Sequence, residues 1–460
     1  MIKKIFTPSK TVNLLILMAV LWCDFNTKRW NNESCVINWD IISYYAYLPA
    51  TFIYHDITLN FIDKYHGQHK FVFWPERAPN GGRCIKTTMG LSVLYSPFFF
   101  MGHLAAKLMH YDTGGYSAPY KFFLTLSTVF YLMLGLYFLR KILENYFSSW
   151  ITALTLFATV VTTNLFYYST IECTMSHAYS FSLFILFIYL TIKWHKKQTI
   201  VISAAIGLLA GIISLIRPSN IIVALIFLLY NISTWSDVKE RIKFFLTNYG
   251  KILIILICIL LVWLPQLLYW KKITGQWLFN SYTGERFFFS NPQIIKGLFG
   301  FRKGWLIYTP IMLFAIAGIP ILFKQLKAFA WPILIFLTVN IYIILSWWAW
   351  WYGGGFGLRP FVDSYGLMAI PLAMFLTWAI KQRNTFLRYI MLVLFVLVSL
   401  KSIHYTFQYY YGAIHSDSMT RKAYFQSFWH IRPTGSFWSL LKEPDYEKAR
   451  EGIQATKPVK

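Results

Sequence analysis

The sequence predicts an all-α polytopic membrane protein, and three observations carry that expectation. Hydrophobic residues make up 57% of the chain and charged residues only 13%, whereas soluble domains run at roughly 45–50% apolar and about 25% charged. Apolar runs of about 17–22 residues recur, long enough to cross a hydrocarbon core. Lysines and arginines collect in alternate short segments between those runs, as the positive-inside rule describes. A chain of this length would suit two or three soluble domains, but the repeated spans favour one membrane domain, residues 1–404, with a tail at 405–460. The net charge of +25 does not point to nucleic acid, because the basic residues form no clustered arm or stripe.

At the N-terminus, Lys3, Lys4 and Lys10 precede the apolar run Val12 to Cys23. No small-residue cleavage site follows, and Trp22 before Cys23 does not suit a lipoprotein signal, so an uncleaved first span is predicted at 11–26. Further spans are predicted at 119–139, 150–168, 177–193, 200–216, 217–233, 251–269, 304–323, 329–346, 361–380 and 386–404, about 11 in all by length and hydropathy. With the N-terminus in the cytoplasm, the inner loops carry Arg140 and Lys141, then Lys193, Lys196 and Lys197, then Lys239, Arg241 and Lys243. Lys324 and Lys327 follow, and finally Lys381, Arg383 and Arg388. This arrangement requires the stretch Met89 to Met109 to lie along the outer interface, which Pro97, Gly102, His103 and Lys107 suit. If it crossed, every later loop would invert and the basic loops would fall outside.

The expected location is therefore the cell (inner) membrane, multi-pass, with the C-terminus extracytoplasmic. The outer side holds a long first loop (27–118) with interfacial helices, a second (270–303), the short loop 346–360 and the tail. Five dispersed cysteines make neither a disulfide scaffold nor a zinc site. Cys35 and Cys84 share the first loop, and whether they are bonded is left open.

In this topology the span interiors are nearly free of ionisable residues, and the charges gather at the outer ends. Asp40 stands among aromatics in Trp39-Asp40-Ile41-Ile42-Ser43-Tyr44-Tyr45, where its plainest role is to cap the following helix. Lys86 belongs to the same loop. Glu172 and His177 bracket the turn between the third and fourth spans, and Arg217 opens the sixth. Glu285 and Arg302 lie in the second long loop, while Arg359 and Asp363 begin the tenth span. Charges at a membrane edge are costly unless paired or solvated, so a water-filled outer cavity is implied. Each has a structural alternative. Arg217-Pro218 fits a span start with a snorkelling arginine, Glu172 and His177 fit a capped turn, and Lys86, Glu285 and Arg302 fit solvated loop charges. Arg359 is the leading cation. It follows Trp347-Trp348-Ala349-Trp350-Trp351-Tyr352-Gly353-Gly354-Gly355-Phe356-Gly357-Leu358, an aromatic belt and a glycine turn. Glycines let backbone approach a ligand, and arginine grips phosphate through two bonds; the alternative is an interfacial aromatic anchor.

These residues suit sugar transfer from a lipid phosphate. Lys86, Arg217 and Arg359 would stabilise a departing polyprenyl phosphate, and Asp40 would take the acceptor hydroxyl's proton. Attack from the far side would invert the anomeric carbon. Tyr44, Tyr45, Glu172, His177, Glu285, Arg302 and Asp363 would support the site. No cofactor is required, and no metal is indicated, although Asp40 with Glu172 or His177 offers a place for a divalent ion. The partners expected are a polyprenyl-phosphate-linked sugar, a lipid, glycan or protein acceptor, and the bilayer, with no nucleic acid. The rival readings are a lipid-linked saccharide transporter or flippase, which should carry ionisable or broken-helix features near the midplane, and a surface-polysaccharide polymerase or ligase.

Three features occur in a telling order: Asp40 soon after the first span, a long outer loop, and Lys86-Thr87-Thr88-Met89-Gly90 entering a Pro97-containing apolar helix. On these the chain resembles the GT-C superfamily of polytopic glycosyltransferases over about residues 1–400, in particular the branch of protein O-mannosyltransferases and lipid A aminoarabinose transferases. The resemblance implies an outward-facing cavity, a polyprenyl-phosphate sugar donor, a catalytic aspartate at Asp40 and a phosphate-binding lysine at Lys86. Thr87-Thr88 stand where that family usually has prolines, and Trp39 and Ile41 flank Asp40 where the mannosyltransferases commonly pair acidic residues.

Overall fold

A computed structural model describes residues 7–64 and 73–458; Lys3 and Lys4 lie outside the described residues. The first apolar run forms α1 (Pro8–Thr27), which ends at Lys28 in the left-handed conformation. The first loop contains two short helices, α2 (Asp40–Tyr45) and α3 (Tyr47–Phe52), and then a small antiparallel hairpin of β1 (Pro75–Arg77) and β2 (Arg83–Ile85). Next come α4 (Gly90–Leu108), α5 (Ala118–Glu144), α6 (Ser149–Val161), α7 (Leu165–Thr170), α8 (Ser176–Lys196), α9 (Ile200–Ile216) and α10 (Ala224–Leu229). After these lie α11 (Trp235–Thr247), α12 (Tyr249–Thr274), α13 (Ile294–Phe299), α14 (Trp305–Tyr308), α15 (Met312–Gln325) and α16 (Lys327–Leu345). The chain closes with α17 (Tyr365–Ile380), α18 (Thr385–Tyr410), α19 (Arg421–Ser427), β3 (Lys442–Pro444), α20 (Tyr446–Arg450) and β4 (Thr456–Pro458). Beyond the expected helices, the described residues thus hold two small two-stranded antiparallel sheets, β1–β2 and β3–β4.

The all-α membrane class is seen in the structure. Among the described residues seven helical segments are long and apolar enough to cross a bilayer: Pro8–Asn31, Ala118–Glu144, Ser176–Lys196, Tyr249–Thr274, Lys327–Leu345, Arg359–Ile380 and Thr385–Tyr410. α8 and α17 form the centre. α12 and α18 run along the rim and turn rows of apolar side chains outward: Leu253, Leu256, Leu260 and Leu264 on one, Val393, Leu397 and Leu400 on the other. Such rows recur every three or four residues, and on helices of this length they are surfaces for lipid chains.

Four predicted spans are not single long helices. The 150–168 span divides into α6 and α7 around Thr162–Asn164, and 217–233 begins as a 3-10 helix, Pro218–Val223. The 304–323 span breaks between α14 and α15, and 361–380 opens with a 3-10 turn, Arg359–Ser364. Pro218, Pro310 and Pro360 sit at three of these breaks, where a missing N–H and a ring clash stop an α-helix from extending backward. Irregular backbone is tolerated in a membrane protein where other protein or a wet cavity receives its polar groups. The 89–109 stretch is one helix, α4, packed along α5, and it is not among the seven apolar segments.

The basic joints share one end of the bundle. Ser9 and Ser149 bond each other and the C-terminal turn of α5 through Glu144. Arg241 bonds His195 at the end of α8, and Asn231 donates to the carbonyl of Ala328 at the start of α16. Asp40, His177, Arg217 and Arg359 occupy the other end, beyond the opposite termini of the same helices.

The aromatic belt takes a different role from a membrane anchor. Trp348, Trp350 and Trp351 are buried. Trp350 donates to Gln454 at 3.1 Å and Trp351 to Tyr446 at 3.3 Å, while Arg450 lies over the Trp348 ring. Indoles with one polar edge are suited to hold a chain segment this way, so the belt is the floor on which the part of the tail around α20 docks. All five cysteines, Cys35 and Cys84 included, are free thiols.

Close helix crossings depend on glycine. A Cβ on Gly318 would lie 1.9 Å from the Pro371 carbonyl oxygen, where α15 crosses α17, while one on Gly250 would meet nothing within 4 Å. Gly318→Ala is expected to destabilise the protein by about 1–3 kcal/mol and to lower its melting temperature in detergent. Gly250→Ala should be neutral or slightly stabilising. Equal melting of both variants would show that α15 and α17 do not meet as described.

Candidate active site

The site is built on a kink. Val36 and Trp39 both have positive φ, 71° and 47°, a conformation that costs a non-glycine residue about 1–3 kcal/mol and persists only where surrounding contacts impose it. Thr174 donates to the Val36 carbonyl, tying this loop to the α7–α8 turn. Trp39 is the N-cap of α2 but makes no side-chain cap bond, and Asp40 follows as the first helical residue. The capping role open to Asp40 is therefore not the one its side chain takes. Ser92 donates to the Tyr44 carbonyl and Tyr47 to the Thr87 carbonyl, so α2 and α3 are fixed against α4.

The Asp40 carboxylate instead meets Arg359, whose Nη2 donates to Oδ2 at 2.7 Å across 319 residues of sequence. Protein surrounds the pair, yet 46% of the Asp40 side chain is open to solvent. Burial presses the Asp40 carboxyl upward, but the Arg359 guanidinium, with Arg217 and Lys86 behind it, prevails and holds it below the ordinary carboxylate value. The buried Nε of Arg359 has no hydrogen-bond partner among the described residues, which leaves a donor for an incoming anion.

Arg359 is positioned by the glycine turn. Gly353 and Gly357 take φ of 63° and 59°. At Gly355 a Cβ would come 2.8 Å from the Tyr168 hydroxyl, so only a glycine lets the turn lie this close. Asn164 donates to the Phe356 carbonyl at 3.0 Å, the Tyr168 hydroxyl accepts from the Phe356 N–H at 2.8 Å, and Lys303 donates to the Gly355 carbonyl. The helix break at Thr162–Asn164 is what frees Asn164 for this purpose.

Lys86 leaves the end of β2. The backbone around it is held by Tyr269, which accepts from the Ile85 N–H at 2.8 Å, and by Gln266, which accepts from the Met89 N–H at 2.9 Å. Its ammonium pairs with Glu285 at 2.7 Å, lies 3.7 Å from Glu76 and sits over the Tyr282 ring. Gly90, at the end of the same motif, packs against the backbone of Leu215 and Ile216, where a Cβ would come within 2.6 Å. That contact brings the start of α4 to the foot of Arg217. Arg217 lies near Tyr44, and its charge acts on both Asp40 and Asp363. Asp363 accepts from His177 Nδ1 at 2.8 Å and from Asn220 at 3.0 Å.

The structure thus gathers Asp40, Tyr44, Lys86, His177, Arg217, Glu285, Arg359 and Asp363. Glu172 stands beside them in the α7–α8 turn, where burial raises its carboxyl against the pull of Arg359, Lys303 and Arg29. Two predicted members are not brought in. Tyr45 is buried on the far face of α2, packed on Phe99 and Tyr116 and bonded to the Gly115 carbonyl at 2.5 Å, because successive helical residues point about 100° apart. Arg302 turns to the tail, donating to the carbonyls of Asp417 and Lys442.

Its neighbour Lys303 turns inward, where burial and then Arg359 lower its pKa to about 7. Sequence reasoning passed over Lys303, Asn164, Tyr168 and Asn220; the tandem Arg302-Lys303 was the one available signal, and it does not say which of two adjacent cations faces the site. Among the described residues no group of three or more His, Cys, Asp and Glu side chains gathers at metal-ligand spacing. Beside the cluster, Trp39 is 72% exposed with Trp74 edge-on to it at 6.1 Å.

No family model matches the chain, and no curated protein matches it. Solved structures similar to it include two that each have a TM-score of 0.45 and 11% identity over 92% of this chain and 60% of the other. One is the archaeal oligosaccharyltransferase AglB from Archaeoglobus fulgidus in complex with an inhibitory peptide and a dolichol-phosphate. The other is the Archaeoglobus fulgidus oligosaccharyltransferase in the apo form. The chain spans 60% of the length of those proteins.

Proposed function

We propose that this protein is an integral membrane glycosyltransferase of the GT-C kind, transferring a sugar from a polyprenyl-phosphate donor at the outer face of the cytoplasmic membrane. The observation that carries the reading is the solvent-open Asp40 carboxylate paired with Arg359, with Lys86 and Arg217 close enough for their charges to act on it. A base and a set of fixed cations at the end of a lipid-facing bundle are what attack on a lipid-phosphate sugar needs.

In this mechanism the donor phosphate competes with Asp40 for Arg359. As Arg359 turns its Nη and Nε donors to phosphate oxygens, the carboxylate loses its partner and becomes more basic, so the base is strengthened when the donor arrives. The acceptor oxygen forms a bond to the anomeric carbon, its proton passes to Asp40, and the carbon–oxygen bond to phosphate breaks with its electron pair leaving on the polyprenyl phosphate. Displacement from the opposite face inverts the anomeric carbon. Lys86, Arg217 and Arg359 offset the charge of the leaving group, and the reading calls on no metal. The exposed Trp39–Trp74 pair beside the base offers an apolar shelf to the acceptor.

Mass spectrometry of lipid co-purified with the protein tests the donor. A polyprenyl monophosphate sugar is expected; a diphosphate carrying a longer glycan would favour a polysaccharide polymerase or ligase. Within the same reading, Lys86→Ala is expected to raise the KM for the donor by about 10–100-fold, the value of a charge-assisted hydrogen bond, with the melting temperature little changed. Glu285→Gln, which releases Lys86 from its partner, should leave donor KM equal or lower. An unchanged donor KM in Lys86→Ala would remove Lys86 from the phosphate site.

A further inference from the structure

At the basic end of the bundle a recess of about 290 Å3 lies between the last turns of α5 and α8, lined by Lys141, Lys193, Lys196, Glu144, Tyr189 and Ile192 among others. Glu144 is engaged elsewhere, accepting from Ser9 at 2.5 Å and from Arg140 at 2.6 Å. None of the three lysines has a carboxylate within ion-pair distance among the described residues. Lys141 lies 4.4 Å from the Tyr137 ring centre and Lys193 lies 5.5 Å from that of Tyr189. The recess therefore combines a surplus of positive charge with a tyrosine ring in its wall. Helix C-termini favour lysine in general, which accounts for one basic residue at each end but not for three around one opening. Along α8 it is about 30 Å from His177, at 1.5 Å per residue, so it is separate from the Asp40 cluster.

We infer that this recess binds the headgroup of an anionic phospholipid, with the phosphate against Lys141, Lys193 and Lys196 and the upper acyl carbons along Tyr189. The occupant follows from position and chemistry. α5 and α8 are both long and apolar enough to cross a bilayer, so their termini lie at headgroup depth. Basic recesses between helices at that depth hold anionic headgroups. The inference is independent of the catalytic reading.

The full chain, purified and placed in nanodiscs, is read by native mass spectrometry after release, with phosphatidylglycerol or phosphatidylcholine of the same acyl chains as probes. Inorganic phosphate is added in a parallel arm. The wild type is expected to retain phosphatidylglycerol in preference to phosphatidylcholine. The triple substitution Lys141→Gln, Lys193→Gln and Lys196→Gln should weaken that retention more than about tenfold. A control triple at exposed lysines on other helices, Lys324→Gln, Lys327→Gln and Lys381→Gln, should not. If the first triple does not elute as a folded protein, Lys196→Gln alone is used, with a loss of about fivefold expected. Equal phosphatidylglycerol retention in the lysine variants, equal retention of phosphatidylcholine, or full displacement by inorganic phosphate would each overturn the proposal.

Discussion

Asp40→Asn is expected to reduce sugar transfer by about 10²–10⁴-fold, the range of a lost general base, while the protein still assembles and melts as the wild type does. The amide keeps the shape of the carboxylate and can still face Arg359, but it cannot accept the acceptor's proton. An ion pair that only locks the first loop to the glycine turn would give the opposite pattern: lower melting and near-normal turnover in the folded fraction. Measuring kcat and melting temperature on one preparation separates the two. Full activity in Asp40→Asn would end the proposal that Asp40 is the base.

Arg359→Ala should have the second large effect, a loss of about 10²–10³-fold in kcat/KM for the donor, as expected when a preorganised donor to developing charge is removed. It should also move the pH profile. In the free protein Arg359 holds the Asp40 carboxyl below its ordinary value, so the carboxylate persists until the pH falls through that lowered pKa. The acid limb of kcat/KM for the wild type is then expected below about pH 4, the usual aspartate range. Without the guanidinium, burial is less opposed and the pKa rises, so the limb should shift to higher pH. Arg217 and Lys86, which also act on Asp40, would limit the shift. Loss of activity with an unmoved acid limb would mean that Arg359 serves the donor without tuning Asp40.

Much of the site was legible because the chain spends few charges. With only 13% charged residues, each one at a span end has a physical cost that requires a partner or water, and Arg217, Arg359 and Asp363 stand out on that ground, while Asp40 and Lys86 stand out by their setting among aromatics and by the motif that follows Lys86. The glycine turn was equally readable, since three consecutive glycines before an arginine signal close backbone approach. What could not be read were the neutral residues that hold the turn. Asn164 and Tyr168 look like ordinary membrane-helix residues until a break at Thr162–Asn164 aims them at Phe356. Nor could hydropathy distinguish an interfacial aromatic belt from a buried one, because a docked tail and a lipid headgroup layer both favour tryptophan.

The sequence by itself determined the class of fold and the separation of the basic joints from the charges at the other ends of the helices, since each follows from local composition and the cost of burying charge. Only the tertiary structure decided that Asp40 pairs with Arg359 and does not cap its helix, that Arg302 holds the tail while Lys303 turns inward, and that Tyr45 is scaffold. Those outcomes depend on contacts between segments up to 319 residues apart and on the direction a side chain takes from a kinked backbone, neither of which composition or periodicity encodes.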